Sequence, residues 1–299
     1  MIKVRIAILH QDLEWAEREL KKKLTENGAE VDLHDVRHVD RESLMNFDLV
    51  LNRVYASVAN RDCRDNNLTL ELLDYLEKNG VRCLNSADTT RADYSKFTSY
   101  EMMKNLGVPT PETIKIESVD DILRTEEFAD DKGYPIVVKR DMGGRGKEVC
   151  LIRDRDGLVS HLQNVLISDT EQTYSAGFVV QEFISSNRDY DCRINIINGN
   201  YVHSFSRTLI PYGSDIAWLA STSNGSIKKP YQPSDEEIAV AIAATNSIGA
   251  LFNEVDMAFT EKGPVIIENN PTPNYIENED NHMVSNATEH IISYVKKKL

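Results

Sequence analysis

Two acidic side chains and an amide are spaced to meet late in the chain. Glu268 and Asn270 are two residues apart, so on an extended strand both project from one face. Residues 254–259 and 264–268 read as the strands of a hairpin. If Glu261-Lys262-Gly263 is a three-residue loop with Gly263 left-handed, Asp256 falls opposite Glu268. Like charges side by side on a sheet repel, and a hard divalent cation is the usual remedy. Mg²⁺, bound by carboxylates together with phosphate oxygens, suits this oxygen set. Taken alone, the same spacing also fits a solvated acidic hairpin.

A second group lies at Lys139-Arg-Asp-Met-Gly143-Gly144-Arg-Gly146-Lys147. Glycines let a backbone approach phosphates closely, and its N–H groups cradle their oxygens. A Walker loop has Ser or Thr after Gly-Lys and runs into a helix, whereas Gly146-Lys147 is followed by Glu148 and a strand. The expectation is a flap between two strands that closes over a nucleotide; an ordinary hairpin loop is the plainer alternative. Lys96, Lys139 and Lys147 are the candidate phosphate cations, although a lysine by itself is usually a solvated charge. Asp191 and Arg193 share one strand face, with Arg207 on the paired strand; the plain alternative is a surface ion pair. Gln181-Glu182-Phe183-Ile184 follows an apolar strand and sets a polar edge beside apolar walls, which suits a purine.

The elements that must position these groups fall into two styles. Up to about residue 90, strands (4–9, 31–33, 48–53, 81–84) alternate with helices (13–27, 68–79), the pattern of a parallel sheet covered on both faces. No G-x-G-x-x-G follows the first strand, which argues against a dinucleotide site. A helix is expected over 94–106. Strands at 136–139 and 149–152, a helix over 155–167 and a strand from 178 follow. The strands 191–197 and 201–209 meet across Asn198-Gly199, a strong hairpin signal. Ser234 and Glu237 form a capping box opening a helix to Ser247. The chain ends in a Lys-rich helix. The expected fold class is therefore mixed, α/β and then α+β, with a parallel α/β domain at 1–92, a central and lid subdomain at 93–180, and an antiparallel C-terminal subdomain at 181–299.

Composition narrows the function classes. Of 299 residues, 34 are Lys or Arg and 48 Asp or Glu, a net charge of −14 that argues against a protein built to hold a nucleic-acid backbone. Only Lys296-Lys297-Lys298 is clustered, and such a tail suits the end of a helix dipole. No apolar run approaches the roughly 20 residues needed to cross a bilayer, so no membrane role is expected. The strand beginning at Met1 leaves no room for a signal peptide. Cys63, Cys83, Cys150 and Cys192 are scattered, show no C-x-x-C pairing, and read as the reduced, mostly buried thiols expected of a cytoplasmic protein.

Taken in order, Lys96, Lys139, the glycine loop, Gln181–Ile184, Asp191-x-Arg193, Asp256 and Glu268-x-Asn270 resemble the ATP-grasp superfamily. Within it they resemble the RimK-type ligases, which include ribosomal-protein glutamate ligases and LysX-type enzymes. The resemblance covers nearly the whole chain and implies an ATP-grasp fold with an N-terminal pre-grasp domain. It implies an ATP-dependent ligase that forms an amide through an acyl phosphate, releasing ADP and phosphate. Lys96 and Lys139 would then hold ATP phosphates, with Lys139 also near the adenine, while Gly143, Gly144, Gly146 and Lys147 cover the phosphates. Gln181, Glu182, Phe183 and Ile184 would border the adenine, Glu182 or Asp189 would hold ribose, and Asp191 would be a further residue of the ATP site. Arg193 and Arg207 would steady the acyl phosphate. Asp256, Glu268 and Asn270 would bind Mg²⁺, with Mn²⁺ as a substitute. Arg53, at the C-terminal end of a strand, is the candidate for a substrate carboxylate, with a structural ion pair as the equal alternative. Asn274 is the other substrate candidate.

The sequence departs from the RimK pattern at two places. Ser221 and Asn224 stand where the family has Asn and Arg, so one cation is missing. Pro271-Thr-Pro273-Asn274-Tyr275 replaces the run that follows the metal ligands. Both departures fall where an acceptor should bind. The implied partners are a small, peptide or carrier-protein-borne carboxylate and an amine, and relatives imply a dimer or tetramer. Alternatives on the same fold are a D-alanine–D-alanine-type dipeptide ligase and a small-molecule kinase; outside catalysis, the alternative is a nucleotide-binding regulator.

Overall fold

The computed structural model describes residues 4–57, 63–143, 149–170, 177–273, 275–277 and 279–296. The first part contains β1 (Arg5–His10), α1 (Trp15–Glu26), β2 (Glu30–Asp35), α2 (Arg41–Leu44), β3 (Leu49–Asn52), α3 (Cys63–Lys78) and β4 (Cys83–Leu84). Its four strands pair in parallel in the order β2-β1-β3-β4, as the alternation of elements requires. Leu72, Leu73 and Leu76 of α3 pack against Ala7, Leu9 and Val50 on one face. Leu20 and Leu24 of α1 cover Ile6, Ile8 and Leu49 on the other.

The helix expected over 94–106 is present as α5 (Lys96–Asn105), and a further helix not read from the sequence, α4 (Ala87–Tyr94), runs directly into it. Ser95 separates them. Its backbone is extended (φ −117°, ψ 114°), and its hydroxyl accepts from the Thr98 N–H at 3.1 Å while donating to Asp141. A serine that can cap competes with helix continuation, and here the cap wins.

The middle part contains β5 (Thr113–Ile116), α6 (Ile122–Lys132), β6 (Ile136–Arg140), β7 (Val149–Ile152), α7 (Arg155–Thr170) and β8 (Phe178–Glu182). These strands form an antiparallel sheet, β5-β8-β6-β7, packed on Leu158, Leu162 and Leu166 of α7. Strand β8 runs through the boundary at 180/181 expected from the sequence, because Gln181 pairs with both Val137 and Thr113.

The last part contains β9 (Tyr190–Ile197), β10 (Asn200–Thr208), β11 (Lys228–Pro230), α8 (Asp235–Ser247), β12 (Phe252–Thr260), β13 (Gly263–Asn270) and α9 (Asn281–Lys296). The antiparallel order is β11-β10-β9-β12-β13. Asn198 (φ 51°) and Gly199 (φ 72°) both take the positive φ of a two-residue hairpin turn. Ser234 and Glu237 form the reciprocal cap of α8. Helices α5 and α8 cover one face of this sheet through Tyr100, Met103, Ala241 and Ala244. Its other face is left to the cleft.

Helix α9 returns to the first sheet. Met283, Val284, Ala287, Ile291 and Val295 fall on one helical face and join the core of Ile6, Ile8, Leu20 and Leu24. Cys83 and Cys192 are buried, Cys63 and Cys150 half-buried. Among the described residues no helix is long and apolar enough to cross a membrane.

Candidate active site

A cavity of about 520 Å³ lies between the middle sheet and the open face of the last one. Its floor is set by strand parity. Arg193 on β9 is the partner of Asp256 on β12, which in turn is opposite Glu268 on β13. One row along, Glu254 is opposite Asn270, and one row the other way, Asp191 is opposite Arg207 on β10. Side chains two residues apart share a face, so these rows present acids and arginines to one cleft.

The route to the Asp256–Glu268 pairing differs from the three-residue loop expected. Thr260 pairs with Gly263, so only Glu261 and Lys262 form the turn, and Gly263 is a strand residue with φ 118°. The additional residue is a bulge: Met257 pairs with Ile266 but Asp256 with Glu268, leaving Ile267 extra. Carried on without it, the register would set Glu268 against Val255, which faces the core. The bulge turns Glu268 into the cleft, the re-aiming role that such irregularities serve.

Electrostatics on this floor are tightly compensated. Arg193 holds Asp256 bidentately (Nε–Oδ1 2.6 Å, Nη2–Oδ2 2.9 Å) and donates through Nη1 to Glu254 at 3.0 Å. Arg207 holds both oxygens of Asp191 and reaches Asp256 Oδ2 at 3.0 Å. Burial pushes the Asp256 carboxyl up, but Arg193 and Arg207 outweigh it and hold it below its ordinary range. For Asp191 and Glu254 burial wins over the same arginines, and both are raised. The Arg207–Asp191 pair is buried rather than a surface bridge, and Arg193 is half-buried. Lys96 Nζ lies 3.4 Å from Glu268 Oε1 and donates to the Gly143 carbonyl at 2.8 Å. Lys139 is buried 3.3 Å from the Tyr100 hydroxyl. Burial depresses its ammonium, against the pull of Glu268 and Asp256.

These residues fit a divalent cation. Asp256, Glu268 and Asn270 are all oxygen donors lining one wall, and the Asn270 Nδ2 is spent on the Glu254 carbonyl at 3.0 Å, which leaves its Oδ1 as the available acceptor. Among the described residues no three or more His, Cys, Asp or Glu side chains are placed to hold a metal by themselves. An ion here would need the Asn270 amide and phosphate oxygens to complete its shell, the mode that suits Mg²⁺.

Lys96, Lys139, Gly143, Gln181, Glu182, Phe183, Ile184, Asp191, Arg193, Arg207, Asp256, Glu268 and Asn270 all line this one cleft. Glu182 is fixed at its edge, accepting the Glu112 N–H at 2.9 Å and donating its own N–H to the Glu112 carbonyl at 2.9 Å. Asp189 does not join them; it is exposed and outside the lining. Arg53 is also outside the lining. It is buried, pairs with Glu17 at 3.2 Å, donates to the Pro273 carbonyl at 2.7 Å and lies over the Tyr275 ring. At this position the structure holds the ion pair rather than a cleft-facing guanidinium, because Glu17 on α1 and the returning chain at Pro273 reach it first. Gly144, Gly146, Lys147 and Asn274 lie outside the described residues. At the departures, Asn224 donates to the Ser221 hydroxyl at 3.0 Å within a short turn, and Lys228, opposite Arg207, lines the cleft.

Three lining acids, Glu254, Asp93 and Asp280, were not singled out from the sequence. Glu254 repeats, before Asp256, the spacing of Glu268 and Asn270, and that i, i+2 pattern could have found it. Asp93, near the end of α4, had no such signal, since it fell just before a helix expected to run unbroken from 94. Burial pushes its carboxyl up to about 7, against a Thr272 hydrogen bond. Between an unfolded value of about 4 and that of about 7 the folded chain holds the extra proton, so stability falls as pH rises through this window. Asp93→Asn should therefore raise the melting temperature of the ligand-free protein more at pH 8 than at pH 5, by the equivalent of about 1–3 kcal/mol. Parallel shifts at the two pH values would show that Asp93 titrates normally.

A model of the RimK-like ATP-grasp domain matches residues 93–295. A probable alpha-L-glutamate ligase of Legionella pneumophila is 28% identical over 256 residues, covering 85% of this chain and 78% of that one. Human N-acetylaspartylglutamate synthase A is 25% identical over 230 residues, 77% of this chain and 55% of that protein. The solved D-alanine–D-alanine ligase of Bacillus anthracis superposes with a TM-score of 0.67 at 17% identity, covering 98% of each chain.

Proposed function

The chain belongs to the RimK-like ATP-grasp family, and from that premise we propose that it joins a carboxylate to the amine of an amino acid, with ATP as the activating reagent and glutamate as the first acceptor to test. The observation that carries this reading is the cleft floor, where Asp256, Glu268 and Asn270 share one face with Arg193 and Arg207 beneath Lys96 and Lys139. Relatives named for glutamate support the acceptor. The fold shared with a D-alanine–D-alanine ligase does not choose between acceptors.

On this reading Lys96 and Lys139 meet the phosphates of ATP, and Gln181–Ile184 border the base. Glu182, which lines the cleft as Asp189 does not, is the residue for the ribose. Mg²⁺ held by Asp256, Glu268 and Asn270 would neutralise phosphate charge. The substrate carboxylate attacks the γ-phosphorus in line, its new O–P bond replacing the bond to ADP. Arg193 and Arg207 are placed to take up charge on the acyl phosphate, and their rigid anchorage means little reorganisation as that charge develops. Phe183, Ile184, Phe205 and Trp218 give the cleft apolar walls that limit hydrolysis of the intermediate. The amine then attacks the acyl carbon and phosphate leaves.

The test is ADP release from Mg·ATP across amino acids, small peptides and dicarboxylates, with hydroxylamine as a surrogate amine. Acid-dependent ADP together with a hydroxamate is the expected outcome. ADP without hydroxamate would indicate a kinase. No acid-dependent ADP, even with added cell extract to supply a carrier-borne acid, would overturn the reading in favour of a regulator.

A further inference from the structure

Two lining acids away from the floor are not used by the scheme above: Asp280, which accepts the Ile276 N–H at 2.8 Å, and Asp93. Asp191, Glu254, Asp256 and Glu268 each lie within ion-pair distance of an arginine or lysine. Asp93 lines the same cavity, yet among the described residues it has no ion pair, and its Oδ2 is buried without a hydrogen-bond partner. We propose that Asp93 receives the ammonium group of the amine substrate and sets it beside the acyl phosphate.

Three observations carry this. Thr272, the neighbour of Asp93, is held in place: Asn85 donates to the Pro271 carbonyl at 2.7 Å and to the Thr272 hydroxyl at 3.3 Å. Nothing in the helix that carries Asp93 rewards a negative charge there. Asp93 sits in the last turn of α4, where the helix dipole disfavours an anion, and a buried oxygen without a partner adds a desolvation cost. The missing partner is thus a donor, best a cation, that arrives from outside. Finally, the cations of the floor are already committed to carboxylates and, on the ligase reading, to phosphates, so the cleft offers Asp93 no cation of its own once ATP is bound. A metal ion is the weaker occupant, since no cluster of metal-ligating side chains surrounds Asp93 among the described residues.

The chemistry balances. The bound ammonium sheds one proton, which the carboxylate holding it is placed to accept. The nitrogen lone pair then forms the C–N bond as the acyl C–O bond breaks. The phosphate departs with that electron pair and takes up the second N–H proton, leaving an amide.

The inference rests on the ligase reading, and one assay separates the two. Hydroxylamine is uncharged near neutral pH and needs no anionic anchor, whereas L-glutamate presents an ammonium. Asp93→Asn is expected to raise KM for L-glutamate roughly 10–100-fold while KM for ATP and for the carboxylate, and hydroxamate formation, stay at wild-type levels. Asp93→Glu should recover part of the loss. Equal KM for L-glutamate in wild type and Asp93→Asn would overturn the assignment. So would loss of the hydroxylamine reaction in the variant, which would mark Asp93 as structural. Failure of the ligase reading shows separately, as absence of acid-dependent ADP in the wild type.

Discussion

Glu268→Gln is expected to lower acid-dependent ADP release at least about a thousandfold while leaving the protein folded. The two halves of that result have different physical origins. The substitution keeps the shape and removes one charge, so the bulge at Ile267 still turns the side chain into the cleft beside Asp256. What is lost is half of the anionic pair that would hold a divalent cation and, with it, the anchor 3.4 Å from Lys96 Nζ. Charge stabilisation of this kind acts in a site with limited water and is worth several kcal/mol in a transition state. Stability should change by no more than about 1 kcal/mol, because the Glu268 side chain is 32% exposed and a half-exposed ion pair contributes little. Raising Mg²⁺ should recover part of the rate if the loss is one of cation affinity. Initial rates over a Mg²⁺ series, with melting curves as the folding control, check both halves. A rate within tenfold of wild type would remove Glu268 from the catalytic floor.

That pairing also shows how far the sequence reaches. The partner of Glu268 follows from a count of residues between the two strands, and the count is the same whether the extra residue sits in the turn or in the ladder. The three-residue loop and the two-residue turn with a bulge at Ile267 therefore give one answer for Asp256. Strand parity put Asp191 and Arg193 on one face, but the Asn198-Gly199 turn alone would set Arg207 against Tyr190; a register shift between Tyr201 and His203 brings it opposite Asp191. Features decided by three-dimensional competition were not legible. Ser95 is compatible with a helix interior until Asp141 arrives from another element to receive its hydroxyl. Arg53 stands at a strand end where ligands bind, and only packing of α1 and the chain at Pro273 against it turns it into a buried tether. Asp93 became visible only once its surroundings could be inspected for a partner it lacks.

Arg207 tests whether the arginines on the floor are structural counterions as well as groups for the acyl phosphate. Arg193 and Arg207 face Asp191, Glu254 and Asp256, two cations against three carboxylates of which Asp191 and Asp256 are buried. Arg207→Met leaves one cation for the same three acids and a gap where a bidentate partner of Asp191 had been. Removing one side of a buried pair typically costs about 3–5 kcal/mol, most of it from the charge left behind. The fold can reduce that cost by protonating Asp191, already raised by burial. Its folded value then stands further above the unfolded one, the folded state binds the extra proton between them, and stability falls as pH rises through that window. The Arg207→Met defect should accordingly be smaller at pH 5 than at pH 8. Adding Asp191→Asn removes the orphaned charge and should restore about half or more of the lost stability, with the pH dependence of the defect largely gone. Activity should not return, since the double variant still lacks the cation that would meet the acyl phosphate, and Arg207→Lys should fail similarly for want of a bidentate fork. Urea midpoints at the two pH values, read beside ADP release, separate these roles. A double variant no more stable than Arg207→Met would show that Arg207 acts by packing rather than by charge, and recovery of activity in it would show that Asp191, not the acyl phosphate, is what Arg207 serves.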